Sequence, residues 1–242
     1  MNELIFLSVV IPAYNEEGRI RGTLASLQEF LDGRTYSYEV LVINDGSTDA
    51  TSEIVGNMAR DWPQLKLISN SVNQGKGAVV RHGILSAQGQ HILFSDADNA
   101  TPIDQIDKLL SHIGQYHVVI GSRYCPGSII HVAQAKHRVV LSRLSNLLIR
   151  WILLPGIYDT QCGFKLFQSQ PAKQIFNLAR INRFGFDFEV LAIAKHLGYN
   201  FKEIGVEWND DPNSKVRAGK EALRTLRDLL KVKWNFLSGR YK

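Results

Sequence analysis

The chain has 242 residues, of which 45% are hydrophobic and 21% charged, and its formal net charge is +5 at pH 7. These values are typical of a soluble globular protein with a substantial core. The two cysteines, Cys125 and Cys162, are too few for a disulfide scaffold or a tetrahedral zinc site, and they favour a reducing cytosolic setting. No run of about 18 apolar residues predicts a membrane-spanning helix, and residues 1–7 lack the basic start of a signal peptide.

The basic charge is concentrated at the C-terminus. Residues 215–242 contain nine lysines and arginines and two acidic residues, so the rest of the chain is slightly acidic. The basic charge is confined to this one segment, and the sequence contains no recognised nucleic-acid-binding motif. We therefore expect no nucleic acid among the partners.

Apolar runs alternate with helical patterns along the first half of the chain. Strands are predicted at 4–11, 39–44, 65–70, 91–94 and 118–121, with helices at 16–30, 51–60, 76–87 and 103–115. This alternation predicts right-handed βαβ units, and hence an α/β fold with a Rossmann-like, mostly parallel sheet flanked by helices. Further helices are predicted at 136–154, 186–197 and 217–237, and further strands at 162–167 and 201–206. No break in composition divides residues 1–242, so a single domain is expected.

Polar motifs follow the predicted strands at 12–16, 44–49, 73–77 and 96–98. In open α/β sheets, ligands bind at the carboxyl ends of the strands, where these motifs would meet. Asp96 and Asp98 could together reach one Mg²⁺ or Mn²⁺ ion and the diphosphate that it carries. A nucleotide-sugar transferase needs such charge neutralisation, although a D-x-D pattern alone is common in surface loops.

Other motifs narrow the class of ligand. The sequence has no G-x-G-x-x-G after the first strand and no G-x-x-x-x-G-K-[ST], which disfavours a dinucleotide oxidoreductase and a P-loop NTPase. Lys76, between two glycines at the start of a helix, could meet an anion or could belong to a flexible turn. Asp45 could bind a base or ribose, or could cap the helix that follows it.

Four motifs in this order resemble glycosyltransferase family 2: 9–17 (VVIPAYNEE), 42–49 (VINDGSTD), 73–77 (NQGKG) and 96–98 (DAD). The resemblance implies the GT-A fold and inverting transfer that depends on Mg²⁺ or Mn²⁺. It also implies roles for individual residues. The nucleoside would be held by Pro12, Tyr14, Glu16 and Asp45. Lys76 and Asp96 would lie near the ribose and phosphates, and Asp98 would ligate the metal together with Asp96.

The second half is similar to the polyprenyl-phosphate glycosyltransferases, in particular those that form dolichyl-phosphate glucose, through 121–124 (GSRY), 141–146 (LSRLSN) and 159–165 (DTQCGFK). The chain is interpreted as a nucleotide-sugar half at 1–122, an acceptor half at 123–214 and a basic amphipathic helix at 215–242. The resemblance favours UDP-glucose as donor and a dolichyl or undecaprenyl phosphate as acceptor. GDP-mannose as donor and a non-lipid glycan as acceptor remain the alternatives.

A lipid phosphate is already an anion, so it needs cations and alignment more than a strong base. Arg123, Arg143 and Lys215 are the predicted cations for the acceptor phosphate, although Arg143 could equally be a solvated helix residue. Asp159 could orient the sugar or accept a proton, or it could only fix a turn at 156–160. The predicted catalytic set is Asp98, Asp159 and Arg123.

The terminal helix has two neighbouring stripes. The first is basic, with Lys220, Arg224, Arg227 and Lys231, and the second is apolar, with Leu223, Leu226, Leu230, Trp234 and Leu237. Such a helix is suited to an anionic membrane surface, but it could also pack on the domain. We expect a protein peripherally associated with the cytoplasmic face of a membrane. A nucleotidyltransferase is disfavoured, because residues 12–16 replace the glycine-rich basic loop typical of that class.

Overall fold

The structure, a computed structural model, describes residues 4–131, 136–209 and 218–242, and the side chains of 136–143 and 218–222 lie outside the description. Its strands are β1 (Leu7–Ala13), β2 (Tyr38–Asn44), β3 (Leu65–Ser69), β4 (His91–Ser95), β5 (Val118–Ser122), β6 (Ile129–Ile130), β7 (Phe164–Gln168), β8 (Phe201–Gly205) and β9 (Glu207–Trp208). The helices are α1 (Ile20–Asp32), α2 (Thr51–Asp61), α3 (Lys76–Ser86), α4 (Ile106–Ile113), α5 (Lys136–Ile152), α6 (Ser169–Leu178), α7 (Phe186–His196) and α8 (Ala218–Leu237), with a 3₁₀ turn at Ile103–Gln105.

Seven strands form one sheet in the order β3-β2-β1-β4-β7-β5-β8. β7 is antiparallel to both β4 and β5, and the other pairs in this sheet are parallel. The mostly parallel sheet is therefore confirmed, and β7 is its exception. An apolar run predicts a strand but not its direction. β6 and β9, a separate parallel pair, were not predicted, and each is only two residues long.

Apolar side chains fill both faces of the sheet. One layer lies against α3, α6, α7 and α8, and the other against α1, α2 and α4. α3 lies very close to the sheet because Gly83 has no side chain, since a β-carbon there would lie 2.3 Å from Val10. α6 was not predicted, although its buried Ala172, Ile175 and Phe176 follow helical spacing. Among the described residues, no helix is both long and apolar enough to span a bilayer.

Candidate active site

The loops after β1 and β2 are joined to each other by hydrogen bonds. The Asn15 N–H donates to Ser47 Oγ at 2.9 Å, and the Thr48 N–H donates to Asn15 Oδ1 at 2.8 Å. The Glu16 N–H donates to Thr51 Oγ1 at 2.7 Å. Asn15 also has a positive φ of 56°, a left-handed conformation that asparagine tolerates better than most residues. Two of the predicted nucleotide-binding motifs are therefore held together at the carboxyl edge of the sheet.

The three predicted nucleoside residues of the first loop have different environments. Pro12 lies within β1 and is buried, whereas the Tyr14 side chain is exposed and free to contact a ligand. The Glu16 carboxylate is largely buried and forms an ion pair with Arg19. Tyr14 is therefore the most accessible of the three.

Asp45 does not cap the following helix, so that interpretation was wrong. Its carboxylate accepts the N–H groups of Gln74 and Gly75, each at 2.8 Å. At the start of α2, the Thr51 N–H instead donates to Asp49 Oδ1 at 3.0 Å. A turn at Gly46, with φ of +69°, separates Asp45 from α2. Asp45 thus orders the loop that leads into α3, and its predicted contact with the nucleoside stays a prediction.

Lys76 is the first residue of α3 and faces the loop after β4. Its Nζ lies 2.7 Å from Asp96 Oδ1. Burial opposes the positive charge, but the Asp96 and Asp187 carboxylates outweigh it, and the pKa of Lys76 is raised. We call Lys76 and Asp96 the donor pair, since both were predicted to bind the nucleotide sugar.

Asp98 lies beside the donor pair in a left-handed turn. Its Oδ1 accepts the Ala100 N–H at 3.1 Å, and the intervening Asn99 has a φ of 53°. Burial, followed by the negative charge of Asp96, raises the pKa of Asp98. A divalent cation bound by both carboxylates would offset the repulsion that Asp96 exerts on a charged Asp98. No group of three or more His, Cys, Asp or Glu side chains assembles in the described parts of the chain. Asp96 and Asp98 would supply two carboxylates, which matches Mg²⁺ or Mn²⁺ completed by phosphate and water.

Gly163 brings the acceptor half against the donor pair. Its carbonyl accepts the Asp96 N–H at 3.0 Å, just before β7. A β-carbon on Gly163 would lie 2.0 Å from Asp96 Oδ2, so only glycine fits here without displacing the carboxylate. The sequence motif contained Gly163 but did not single it out. The close approach involves residues 67 positions apart, which no local pattern encodes.

Arg123 and Asp159 form a bidentate ion pair. Arg123 Nε lies 2.7 Å from Asp159 Oδ2, and Nη2 lies 2.9 Å from Oδ1. The Arg123 backbone N–H also donates to Oδ2 at 3.0 Å. Burial alone would raise the pKa of Asp159, but Arg123 lowers it below the ordinary value. We call these two residues the acceptor pair. Within it, Asp159 is fully buried and orients Arg123.

A second buried ion pair, Lys165 with Asp187, was missed by the sequence analysis. Lys165 lies in β7 and is completely buried, and Asp187 lies in the first turn of α7. Lys165 Nζ also donates to the Cys162 carbonyl at 2.6 Å. The signal for this pair was a lysine within an apolar strand, where a charge is retained only with a partner. We call these residues the central pair.

Two predicted phosphate-binding cations cannot be placed. Lys215 lies outside the described residues. Arg143 falls within α5, but its side chain is outside the description. Both remain predictions from the sequence.

α8 packs on the domain through a face that was not predicted. Leu229, Val232 and Asn235 are buried, whereas the predicted apolar stripe is 43–74% exposed at Leu223, Leu226, Leu230, Trp234 and Leu237. α8 also contacts α5, whose Leu147 and Trp151 are exposed, the latter by 83%. The interpretation that the helix packs on the domain is therefore confirmed for the face with Leu229 and Val232, and membrane binding through the exposed stripe stays a prediction. We call these exposed residues of α5 and α8 the apolar face.

Comparison with known proteins agrees with this geometry. Residues 8–176 match the model of the family described as Glycosyl transferase family 2. The chain belongs to glycosyl transferase family 2. It is 36% identical over 236 residues to a dolichyl-phosphate β-glucosyltransferase of Trichomonas vaginalis, covering 94% of this chain and 73% of the relative. It is 32% identical over 250 residues to the human dolichyl-phosphate β-glucosyltransferase, covering 98% and 77%.

Solved structures of two other glycosyltransferases have the same fold as this family 2 protein. Glucosyl-3-phosphoglycerate synthase from Mycobacterium tuberculosis, crystallised with Mn²⁺, UDP and phosphoglyceric acid, superposes with a TM-score of 0.71 at 17% identity, covering 95% of this chain and 78% of that one. Mannosyl-3-phosphoglycerate synthase from Rubrobacter xylanophilus gives 0.72 at 13% identity, covering 98% and 75%. The predicted GT-A fold is confirmed, and the protein is a glycosyltransferase.

Proposed function

We propose that the protein transfers glucose from UDP-glucose to a polyprenyl phosphate, dolichyl or undecaprenyl, with inversion at the anomeric carbon. The observation that carries this proposal is the contact of the segment 159–163 with the donor pair. Through Gly163 it brings the arginine of the acceptor pair to the same edge of the sheet as Asp96 and Asp98. The names of the relatives at 32–36% identity support glucose and dolichyl phosphate.

In the proposed reaction, an oxygen of the acceptor phosphate attacks the anomeric carbon. The bond from that carbon to the nucleoside diphosphate breaks, and its electron pair leaves with the diphosphate. Arg123 would bind the acceptor phosphate through the donors that its planar guanidinium offers. The buried Asp159 holds that guanidinium in place, and a phosphate that is already ionised requires no strong base.

On the donor side, Lys76 would stabilise the negative charge that develops on the departing diphosphate. Asp96 and Asp98 would hold Mg²⁺ or Mn²⁺, which supplies further charge neutralisation when bound. Asp45 contributes indirectly, because its hydrogen bonds to Gln74 and Gly75 fix the residues just before Lys76.

A lipid acceptor requires a membrane surface, and the apolar face supports peripheral association with one. Its exposed tryptophans, Trp151 and Trp234, are of the type that enters lipid interfaces. Arg227, Lys231 and Lys233 are exposed on α8. Basic side chains near an anionic bilayer contribute about 1 kcal/mol each. We propose that this surface binds the cytoplasmic face of a membrane.

The test is a transfer assay with the purified protein, a polyprenyl phosphate, Mn²⁺ or Mg²⁺, and radiolabelled UDP-glucose or GDP-mannose in separate reactions. We expect labelled lipid from UDP-glucose, and no product when the metal is chelated. Labelled lipid from GDP-mannose alone would be consistent with the proposed mechanism but would show that UDP-glucose is not the donor. Transfer to a soluble glycan with no labelled lipid would overturn the lipid acceptor.

A further inference from the structure

Three ion pairs lie in succession across the site: the donor pair, the central pair and the acceptor pair. In the central pair, Lys165 is fully buried and Asp187 almost fully buried, so neither side chain can contact a substrate. We propose that Lys165 and Asp187 are positioning residues for the transfer reaction, which hold the donor and acceptor pairs in one arrangement. This inference rests on the function proposed above.

The central pair meets the donor pair at the Phe94 side chain. Phe94 pairs in register with Lys165 and packs edge-to-face against Phe186, the residue before Asp187. Both lysines, Lys76 and Lys165, also approach the Phe94 ring, with Nζ 5.4 Å and 5.7 Å from its centroid. The Lys76 ammonium is therefore placed by Asp96 and by the Phe94 ring, which it shares with the central pair.

The central pair acts on the acceptor pair through Lys165. Its Nζ donates to the Cys162 carbonyl at 2.6 Å, within the segment 159–163. That segment carries Asp159 of the acceptor pair and Gly163, whose carbonyl receives the Asp96 N–H. The positive charge of Lys165 also helps Arg123 to lower the pKa of Asp159. One buried ammonium thus fixes the segment that joins the two halves of the site.

The fold alone does not explain why this position is charged. Lys165 pairs in register with Phe94 on β4 and Ile120 on β5, within an apolar layer of the core. Replacing a buried ion pair by apolar residues of similar volume is often neutral or stabilising, whereas removing one partner is strongly destabilising. A role in stability and a role in positioning therefore predict different behaviour for a double apolar variant.

The experiment compares Lys165→Met/Asp187→Leu with the wild-type protein. We measure the thermal midpoint, UDP affinity by calorimetry with Mn²⁺, and kcat and KM for both substrates. We expect a midpoint close to that of the wild type. We also expect weaker UDP binding and a kcat/KM lowered roughly 10- to 100-fold. This is the range typical for the loss of residues that support metal ligands.

The matched control is Lys66→Met, which removes one charge from the Glu39–Lys66 pair, at 3.0 Å in β2 and β3 and outside the site. This control should leave UDP binding and kcat/KM unchanged. A folded double variant with wild-type UDP affinity and kcat/KM would overturn the proposal.

If the double variant does not fold, Asp187→Asn tests the same proposal, because it removes the charge and keeps the size of the side chain. A folded Asp187→Asn protein with wild-type kinetics would overturn the proposal, and weaker UDP binding with a lower kcat/KM would support it. The calorimetric readout needs no acceptor. If the wild type binds UDP but glucosylates no lipid, the proposed function fails, while the effect of the central pair on UDP binding is still measured.

Discussion

Gly163 and Asp96 are in such close contact that the carboxylate occupies the space where any other residue would place its β-carbon. The hypothetical β-carbon would lie 2.0 Å from Oδ2 and 2.3 Å from Cγ. The glycine therefore sets the position of one of the two candidate metal ligands from the opposite half of the protein.

Gly163→Ala should displace the Asp96 carboxylate and lower transfer at least tenfold, a change equivalent to about 1.4 kcal/mol in the barrier. The measurement is kcat/KM together with Mn²⁺ affinity by calorimetry. Gly56→Ala in α2 is the control, since nothing lies within 4 Å of its added β-carbon. That variant should keep activity and gain up to about 1 kcal/mol of stability. Unchanged metal affinity in Gly163→Ala would contradict the assignment of Asp96 as a ligand.

Asp98→Ala should abolish transfer without unfolding the protein. The substitution removes one of two carboxylates whose negative charges oppose each other, so the thermal midpoint should stay level or rise. Activity, metal binding and thermal unfolding are measured on the same preparation. Transfer that persists in this variant with the metal chelated would refute the metal-dependent mechanism.

Arg123→Ala should both reduce acceptor binding and destabilise the fold. It leaves Asp159 buried without its cation, a change that typically costs about 3–5 kcal/mol. Adding Asp159→Asn should recover most of the stability but none of the acceptor affinity. Chemical denaturation and acceptor KM separate the two effects. Recovery of activity in the double variant would exclude Arg123 as the phosphate-binding residue.

The acceptor pair should also contribute to acid sensitivity. Because the folded-state pKa of Asp159 is lowered, its stabilisation is present above the pKa of an unfolded carboxyl and is lost as pH falls through the folded value. The stability advantage of the wild type over Arg123→Ala/Asp159→Asn should therefore be constant near neutral pH and shrink as the pH falls below the pKa of an unfolded aspartate, about 4. Urea denaturation at a series of pH values measures it, and an advantage that stays constant throughout the series would contradict the prediction.

Trp151→Ser/Trp234→Ser should weaken binding to anionic vesicles without changing the fold, since both side chains are exposed. Transfer to a short-chain, water-soluble polyprenyl phosphate analogue should be retained. Vesicle sedimentation at low and high salt is the measurement. Leu4→Ser, at a 78% exposed leucine outside the apolar face, is the control. Equal vesicle binding by all three proteins would exclude the apolar face as the docking surface.

Local patterns in the sequence predicted the helices and strands of the first half well, because hydrophobic periodicity is a local property. The DAD motif also predicted a joint role for Asp96 and Asp98, and in the structure the negative charge of Asp96 contributes to the raised pKa of Asp98. Contacts between distant segments were not predictable in this way. The partner of Asp45 is the loop before α3, about 30 residues away, and a capping motif in the sequence suggested a nearer one.

The same reason explains what was missed in the second half. The partner of Arg123 lies 36 residues away and that of Lys165 lies 22 residues away. For α8, the spacing of apolar residues predicted one stripe, while the core contacts another face with Leu229 and Val232. An amphipathic pattern shows that a helix has an apolar side, but tertiary packing decides what that side contacts.

The reversed direction of β7 places the loop that precedes this strand beside the donor pair. The chain enters an antiparallel strand at the edge where its parallel neighbours end, so Gly163 arrives beside Asp96. With β7 parallel, the same entry loop would begin at the far edge, about 16 Å away for five residues. If the proposed function holds, insertions and substitutions in the loop before β7 would change acceptor recognition, while the loops that follow the parallel strands would keep their positions.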